Sequence, residues 1–103
     1  MMNNTTIPDK FKIANTWYTV EVVDKIDRGD YGYHDDDRRK IVIAKQIPTE
    51  QGDIDLEEGQ IENTFWHELF HVFNFYFNTE QDEALAQTFA NFMCEYLATK
   101  RVQ

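Results

Sequence analysis

The chain has 103 residues, with 10 basic and 19 acidic side chains and a formal charge of −9 at pH 7. This length is enough for one small domain with its own core, because chains become hard to stabilise alone only below about 40 residues. The acidic balance argues against nucleic acid and anionic membrane surfaces as partners, since like charges repel, and the single cysteine, Cys94, excludes an internal disulfide and a thiolate zinc cluster.

The amino-terminal segment has neither the positive charge nor the apolar stretch of a secretory signal, and no run of 18 apolar residues occurs in the sequence. We therefore expect a cytoplasmic protein that does not enter a membrane. We predict a single domain over residues 1–103, with residues 1–8 flexible. The sequence does not indicate an oligomeric state.

The first half of the chain has the composition of strands and turns. Residues 11–14 and 17–23 are rich in β-branched and aromatic side chains around a polar break at Asn15-Thr16, which predicts a hairpin. Residues 27–40 combine two glycines with dense charge, which is typical of a loop, and residues 41–44 form a further short apolar strand. We expect about three strands in a small antiparallel sheet.

The second half predicts two helices. The first begins near residue 55 or 56 and runs to about residue 77. The second begins at Thr79, where residues 79–82 resemble a capping box, and ends at the basic pair Lys100-Arg101. Because only Asn78 and its neighbours connect them, the helices must pack antiparallel. The sequence thus predicts an α+β fold in which a small sheet is followed by two antiparallel helices.

The first helix contains the pattern His-Glu-x-x-His. Residues four apart stand over one another on a helix, so His67 and His71 can bind one metal ion from a single face. Glu68 stands about 100° round the helix, beside such an ion rather than on it. That position suits a base for a metal-bound water.

A narrow polar stripe on the same helix supports this interpretation, because apolar side chains cover most of the remaining circumference and predict a helix wrapped on most sides. Buried imidazoles in such a stripe need partners, since an unpaired buried polar group costs roughly 1–3 kcal/mol. The stripe consists of Gln60, Asn63, Thr64, His67, His71, Asn74 and Asn78.

A catalytic zinc site takes three protein ligands, and a carboxylate is expected beside two histidines. Counting about 1.5 Å per residue up the first helix and down the second brings Glu83 level with the histidine pair. Ala86 and Ala90 are small enough to let the helices approach. Glu80 and Asp82 are alternative ligands in the same acidic turn.

The motif His67-Glu68-Leu69-Phe70-His71, followed by the segment that opens with Glu83-Ala84-Leu85-Ala86, resembles the minimal gluzincin-type zinc metallopeptidases. It is also similar to phage-associated and mobile-element proteins related to the ImmA/IrrE peptidases. The resemblance covers about residues 17–97 and implies a zincin-like fold. The chain departs from the larger members in having no room for a DNA-binding or sensor domain.

The resemblance implies that His67, His71 and Glu83 hold Zn²⁺ and that Glu68 takes a proton from the bound water. The implied activity is hydrolysis of peptide bonds, with a peptide or protein as substrate. It also implies that the strand at residues 41–44 offers an edge on which an extended peptide can lie. His34, Tyr31 or Tyr33 could stabilise the oxyanion.

Other interpretations remain open at this point. The chain could be a phage-type adaptor that binds a peptide or protein without cutting it, with a zinc-holding or vestigial site. A purely structural metal would need a fourth protein ligand, such as His34. The acids at residues 35–37 are expected in a solvated loop. An apolar stripe on the second helix is expected in the core; it comprises Leu85, Phe89, Phe92, Met93 and Tyr96.

Overall fold

The computed structural model of the chain describes residues 7–77 and 80–101. Most of the segment predicted to be flexible, residues 1–6, lies outside these ranges, whereas Ile7 packs against the core. Six strands precede two helices. They are β1 (Lys10–Ile13), β2 (Thr16–Val23), β3 (Gly32–Asp35), β4 (Lys40–Ala44), β5 (Gln46–Thr49), β6 (Gly52–Asp55), α1 (Glu58–Tyr76) and α2 (Glu83–Arg101).

The strands form a mixed four-stranded sheet in the order β1-β2-β4-β3 and a separate β5-β6 hairpin. The α+β prediction is confirmed, but the prediction of a purely antiparallel sheet of about three strands is wrong. β2 pairs with β4 in parallel, from Thr19 opposite Lys40 to Val23 opposite Ala44. After β2 the chain leaves one strand position empty before it forms β3. β4 then fills that position, between β2 and β3.

β4 is therefore an interior strand and offers no edge to a peptide, contrary to the expectation. Its residues Ile41, Val42, Ile43 and Ala44 are all buried. A continuous apolar run of this kind is typical of a strand covered on both faces. The edge strand on this side of the sheet is β3, which pairs only with β4 among the described strands.

The predicted hairpin is present as β1 and β2, with its turn one residue earlier than expected. Ala14 and Asn15 occupy the left-handed region, with φ of 48° and 61°. Two positive φ values in a two-residue turn match the right-handed twist of the strands on either side.

The β5-β6 hairpin immediately precedes the first helix and reaches the residue where that helix was predicted to begin. Gly52, with φ of 108°, follows the turn and opens β6. Because β6 keeps the chain extended as far as Asp55, α1 cannot begin at residue 55 or 56 and begins at Glu58 instead.

The core lies between the sheet and α1. Its buried members are Tyr18, Ile41, Ile43, Leu56, Ile61, Phe65 and Val72. Towards its carboxyl end α1 is less covered than predicted, because Phe73, Phe75 and Phe77 are exposed.

α2 packs antiparallel to α1, as the contacts of Asn63 with Asn91 and of His71 with Gln81 require. Ala86 and Ala90 are fully buried at this interface, as small residues at a close helix contact should be. Within the described part of the chain, neither helix combines the length and the apolarity needed to cross a membrane.

The prediction that the apolar stripe of α2 is core is wrong for three of its five members. Leu85, Phe92 and Tyr96 are about half exposed, at 51%, 58% and 50%. The sheet packs on α1 rather than on α2, so this face of α2 has no described layer above it.

Candidate metal centre

The two histidines of the His-Glu-x-x-His pattern lie side by side on α1. Their ring centroids are 5.0 Å apart, as the i, i+4 spacing on a helix requires. His71 is buried, with 5% of its surface exposed, whereas His67 is partly exposed.

Glu83, the first residue of α2, faces both rings. Its Oε1 lies 2.9 Å from Nε2 of His67, and its Oε2 lies 3.1 Å from Nε2 of His71. One ligand atom from each of the three residues falls within 4.8 Å of the other two. The structure therefore brings together the three side chains that the sequence singled out.

The other ring nitrogen of each histidine, Nδ1, contacts a glutamine. Nδ1 of His67 lies 3.0 Å from Oε1 of Gln87, and Nδ1 of His71 lies 2.5 Å from Oε1 of Gln81. An amide oxygen can only accept a hydrogen bond, so in this arrangement each Nδ1 carries the proton. Nε2 of His71, which makes no hydrogen bond, then presents a lone pair towards Glu83, whereas Nε2 of His67 is hydrogen-bonded to Oε1 of Glu83.

Nε2 of His71 is buried and makes no hydrogen bond. It lies 3.1 Å from Oε2 of Glu83. A positive charge between a buried nitrogen lone pair and a carboxylate oxygen would stabilise both. Two imidazole nitrogens and one carboxylate oxygen form a donor set that suits zinc, so the residues present fit this metal.

The two acids nearest these rings have shifted pKa values in opposite directions. Burial raises the pKa of Glu68, against the opposing influence of His34, His67 and His71. Burial also acts to raise the pKa of Glu83, but its hydrogen bond to His67 and the charge of His71 lower it overall. Glu83 therefore stays ionised beside the rings, while Glu68 holds a proton more readily than an ordinary glutamate.

The alternative ligands of the same turn do not join the group. Among the described residues the cluster contains only His67, His71 and Glu83. Oδ1 of Asp82 accepts the backbone N–H of Leu85 at 3.0 Å, which is the usual role of an aspartate at a helix start. The predicted capping box begins at Thr79, which lies outside the described residues.

His34 reaches the centre from β3. Its ring stacks on His71 with 5.8 Å between centroids and 17° between planes, and its Nδ1 lies 3.1 Å from Oδ2 of Asp36. Oδ1 of Asp36 accepts a hydrogen bond of 2.6 Å from the hydroxyl of Tyr18. Burial and this hydrogen bond raise the pKa of Tyr18, which keeps the hydroxyl protonated.

Asp36 is thus part of the support for the centre. The prediction of a solvated loop at residues 35–37 is wrong for Asp35, which ends β3, and for Asp36, since both are partly buried. The two tyrosines that were candidates with His34 are separated. Tyr31 lines a cleft beside His67, whereas Tyr33 lines a different depression with Glu21 and Lys25.

A cleft of about 730 Å³ opens beside the centre. His67 and Glu68 lie in its wall, so a molecule in the cleft would reach both. The other lining residues include Tyr31, Gly32, Gln60, Asn63, Gln87 and Asn91.

Sequence reasoning missed Gln81 and Gln87. Gln87 is four residues after Glu83, on the same face of α2, so helical spacing could have indicated it. Gln81 precedes the helix, and no spacing rule places its side chain. Glutamine is also a common surface residue without a metal-binding signature.

Comparison of the chain with protein-family models, with curated proteins and with solved structures finds no match. The functional interpretation therefore depends on the residues and geometry described above.

Proposed function

We propose that this protein is a zinc-dependent metallopeptidase that hydrolyses peptide bonds in a peptide or protein substrate. The single observation that carries the proposal is the buried Nε2 of His71. It lacks a hydrogen bond and converges with His67 and Glu83 on one point. The resemblance to gluzincin-type peptidases agrees with this donor set.

His67, His71 and Glu83 would hold the ion. When bound, zinc supplies Lewis acidity towards a carbonyl oxygen and towards a water molecule. A catalytic site keeps one position open, whereas a structural site is closed by a fourth protein ligand. Within the described ranges His34 does not join the ligand group, which favours the open site over the structural one.

Glu68 would act as the base. Its partial burial raises its pKa, which favours its accepting a proton from water. The hydroxyl of the water bonds to the carbonyl carbon while the carbon–nitrogen bond breaks. The proton that Glu68 took passes to the leaving amine, and Glu68 ends as it began.

The substrate would lie in the cleft beside His67 and Glu68. The strand available for pairing with an extended peptide is β3, because its outer side has no partner strand in the part of the chain that the structure describes. The cytoplasm remains the proposed location, since a single cysteine leaves the chain without an internal disulfide.

The test combines metal content with hydrolysis. We expect the purified protein to contain zinc by elemental analysis and to cleave fluorogenic peptides or casein. Glu68→Gln should keep the zinc and lower turnover by about 10² to 10⁴-fold, whereas His67→Ala should lose both. Glu58→Gln, an acidic residue in the first turn of α1, is the matched control and should change neither.

Retained hydrolysis in Glu68→Gln would contradict the assigned base. Zinc without hydrolysis in the unmodified protein would instead support a peptide-binding adaptor. Absence of zinc after exposure to the ion would overturn the metal site itself.

A further inference from the structure

We propose that Gln81 and Gln87 are positioning residues that hold a proton on Nδ1 of both histidines, so that both Nε2 atoms face Glu83 and can bind a divalent cation there. The inference rests on the proposed metal site, but it concerns these two side chains and can be measured without any substrate. Neither glutamine has a role in the argument for hydrolysis.

The orientation of Gln81 is set by the backbone. Its Nε2 lies 3.2 Å from the carbonyl oxygen of His71, which can only accept. Its Oε1 must therefore face Nδ1 of the same His71, and this nitrogen must donate. One amide thus binds both the ring and the main chain of one residue, and only one tautomer of His71 satisfies both contacts.

The orientation of Gln87 is set by neighbouring amides. Its Nε2 donates to Oδ1 of Asn63 at 2.8 Å and to Oδ1 of Asn91 at 2.9 Å. Nδ2 of Asn63 donates to the same Oδ1 of Asn91 at 2.9 Å. Because the Nε2 of Gln87 makes both of these hydrogen bonds, its Oε1 is directed towards Nδ1 of His67.

The consequence concerns the atoms that bind metal. A histidine ligand binds through a neutral ring nitrogen, and the hydrogen bond of the other nitrogen decides which one is available. Without the glutamines either nitrogen could carry the proton, and a proton on Nε2 would have to move before a cation could bind. Both glutamines lie within one turn of Glu83, so docking of α2 delivers a ligand and both positioning groups together.

Zinc affinity tests the proposal. We expect Gln81→Leu and Gln87→Leu each to weaken zinc binding by about 10 to 100-fold in a chelator competition, as loss of an outer hydrogen bond does at other histidine sites. Gln81→Glu and Gln87→Glu restore an acceptor and should retain the unmodified affinity or exceed it. Gln51→Leu, in the exposed β5-β6 turn, is the matched control and should bind like the unmodified protein.

Histidine tautomers in the metal-free protein give a second measurement. Long-range ¹H–¹⁵N NMR spectra should show a proton on Nδ1 of both His67 and His71. Because Nε2 of His67 is also hydrogen-bonded to Glu83, the readout is the Nδ1 proton, which each leucine variant should lose from its own histidine. Circular dichroism checks that the variants are folded, which we expect because both glutamines are exposed.

Unchanged zinc affinity and unchanged tautomers in both leucine variants would overturn the proposal. Equal loss of affinity in the leucine and glutamate variants would also overturn it, because packing would then explain the effect. If the unmodified protein bound no zinc but showed the expected tautomers, the proposed function would fail while the positioning role stood.

Discussion

Gly32 lies where β3 passes close to α1. A β-carbon at this position would lie 2.5 Å from Cγ2 of Thr64 and 2.9 Å from the carbonyl oxygen of Val42. Real side chains do not approach so closely, so only glycine fits. The close approach also matters for the site, because His34, two residues further along β3, stacks on His71.

We therefore expect Gly32→Ala to lower the free energy of unfolding by about 1–3 kcal/mol, the usual cost of overpacking, as measured by urea denaturation. Adding Thr64→Ser removes the Cγ2 atom, keeps the hydroxyl that donates to Gln60, and should recover part of the loss. The matched control is Gly59→Ala on α1, where a β-carbon meets nothing within 4 Å. It should be neutral or stabilising by up to about 1 kcal/mol. Equal stability of Gly32→Ala and the unmodified protein would contradict the packing argument.

The sequence predicted the residues of the metal centre only where a spacing rule applied. The distance of four residues placed His67 and His71 together, and helical rise brought Glu83 level with them. No such rule connects Asp36 to Tyr18, because their contact spans 18 residues and depends on how the sheet is paired. Three consecutive aspartates indicate a solvated loop, and the partial burial of Asp35 and Asp36 is visible only in the fold.

At the level of the elements, the exposed face of α2 explains a wrong prediction. The helical spacing of its apolar residues resembles that of a core helix, and periodicity alone does not say whether a further layer exists to cover them. In the structure the sheet packs on α1, and Phe92 and Tyr96 stack on each other at the surface.

The exposure of this face of α2 can be tested by mutation. We expect Phe92→Gln to change the free energy of unfolding by no more than about 0.5 kcal/mol, since 58% of Phe92 is exposed. Phe65→Ala should cost about 3–5 kcal/mol, because Phe65 is 2% exposed within the core. A loss of several kcal/mol from Phe92→Gln, measured by chemical denaturation, would show that another layer or a partner covers this face.

Strand order is a second feature of the elements that local patterns did not determine. The hairpin of β1 and β2 was predictable because both strands and their turn are adjacent in the sequence. The parallel pairing of β2 with β4 was not, because it joins residues about 20 positions apart with β3 between them. The apolar run in β4 does contain the signal for an interior strand, whereas the family resemblance implies an edge.

At the scale of the whole molecule, the centre lies between α1 and α2, two helices that also pack directly against each other. His67 and His71 belong to α1, whose opposite side packs in the core, whereas Glu83 begins α2. A cation held by all three would bind the native arrangement and not the unfolded chain. Binding must then increase global stability by mass action.

We expect zinc at 100 times its dissociation constant to add about 2.7 kcal/mol to the free energy of unfolding. At roughly 4–8 °C per kcal/mol for a domain of this size, the melting temperature should rise by about 10–20 °C in differential scanning calorimetry, and a chelator should reverse the rise. Glu83→Ala is the informative variant, because the side chain of Glu83 is 80% exposed and its loss should not disturb folding. This variant should show little of the zinc-dependent rise.

Magnesium distinguishes a specific centre from general attraction to a protein of charge −9. It prefers oxygen ligands, so it should stabilise a diffuse acidic surface but not a site with two imidazole nitrogens. Equal rises in melting temperature with zinc and with magnesium would place the bound cation away from His67 and His71. Equal zinc-dependent rises in Glu83→Ala and in the unmodified protein would do the same. A shift that needs zinc and Glu83 together can arise only if the ion links the start of α2 to the histidines of α1.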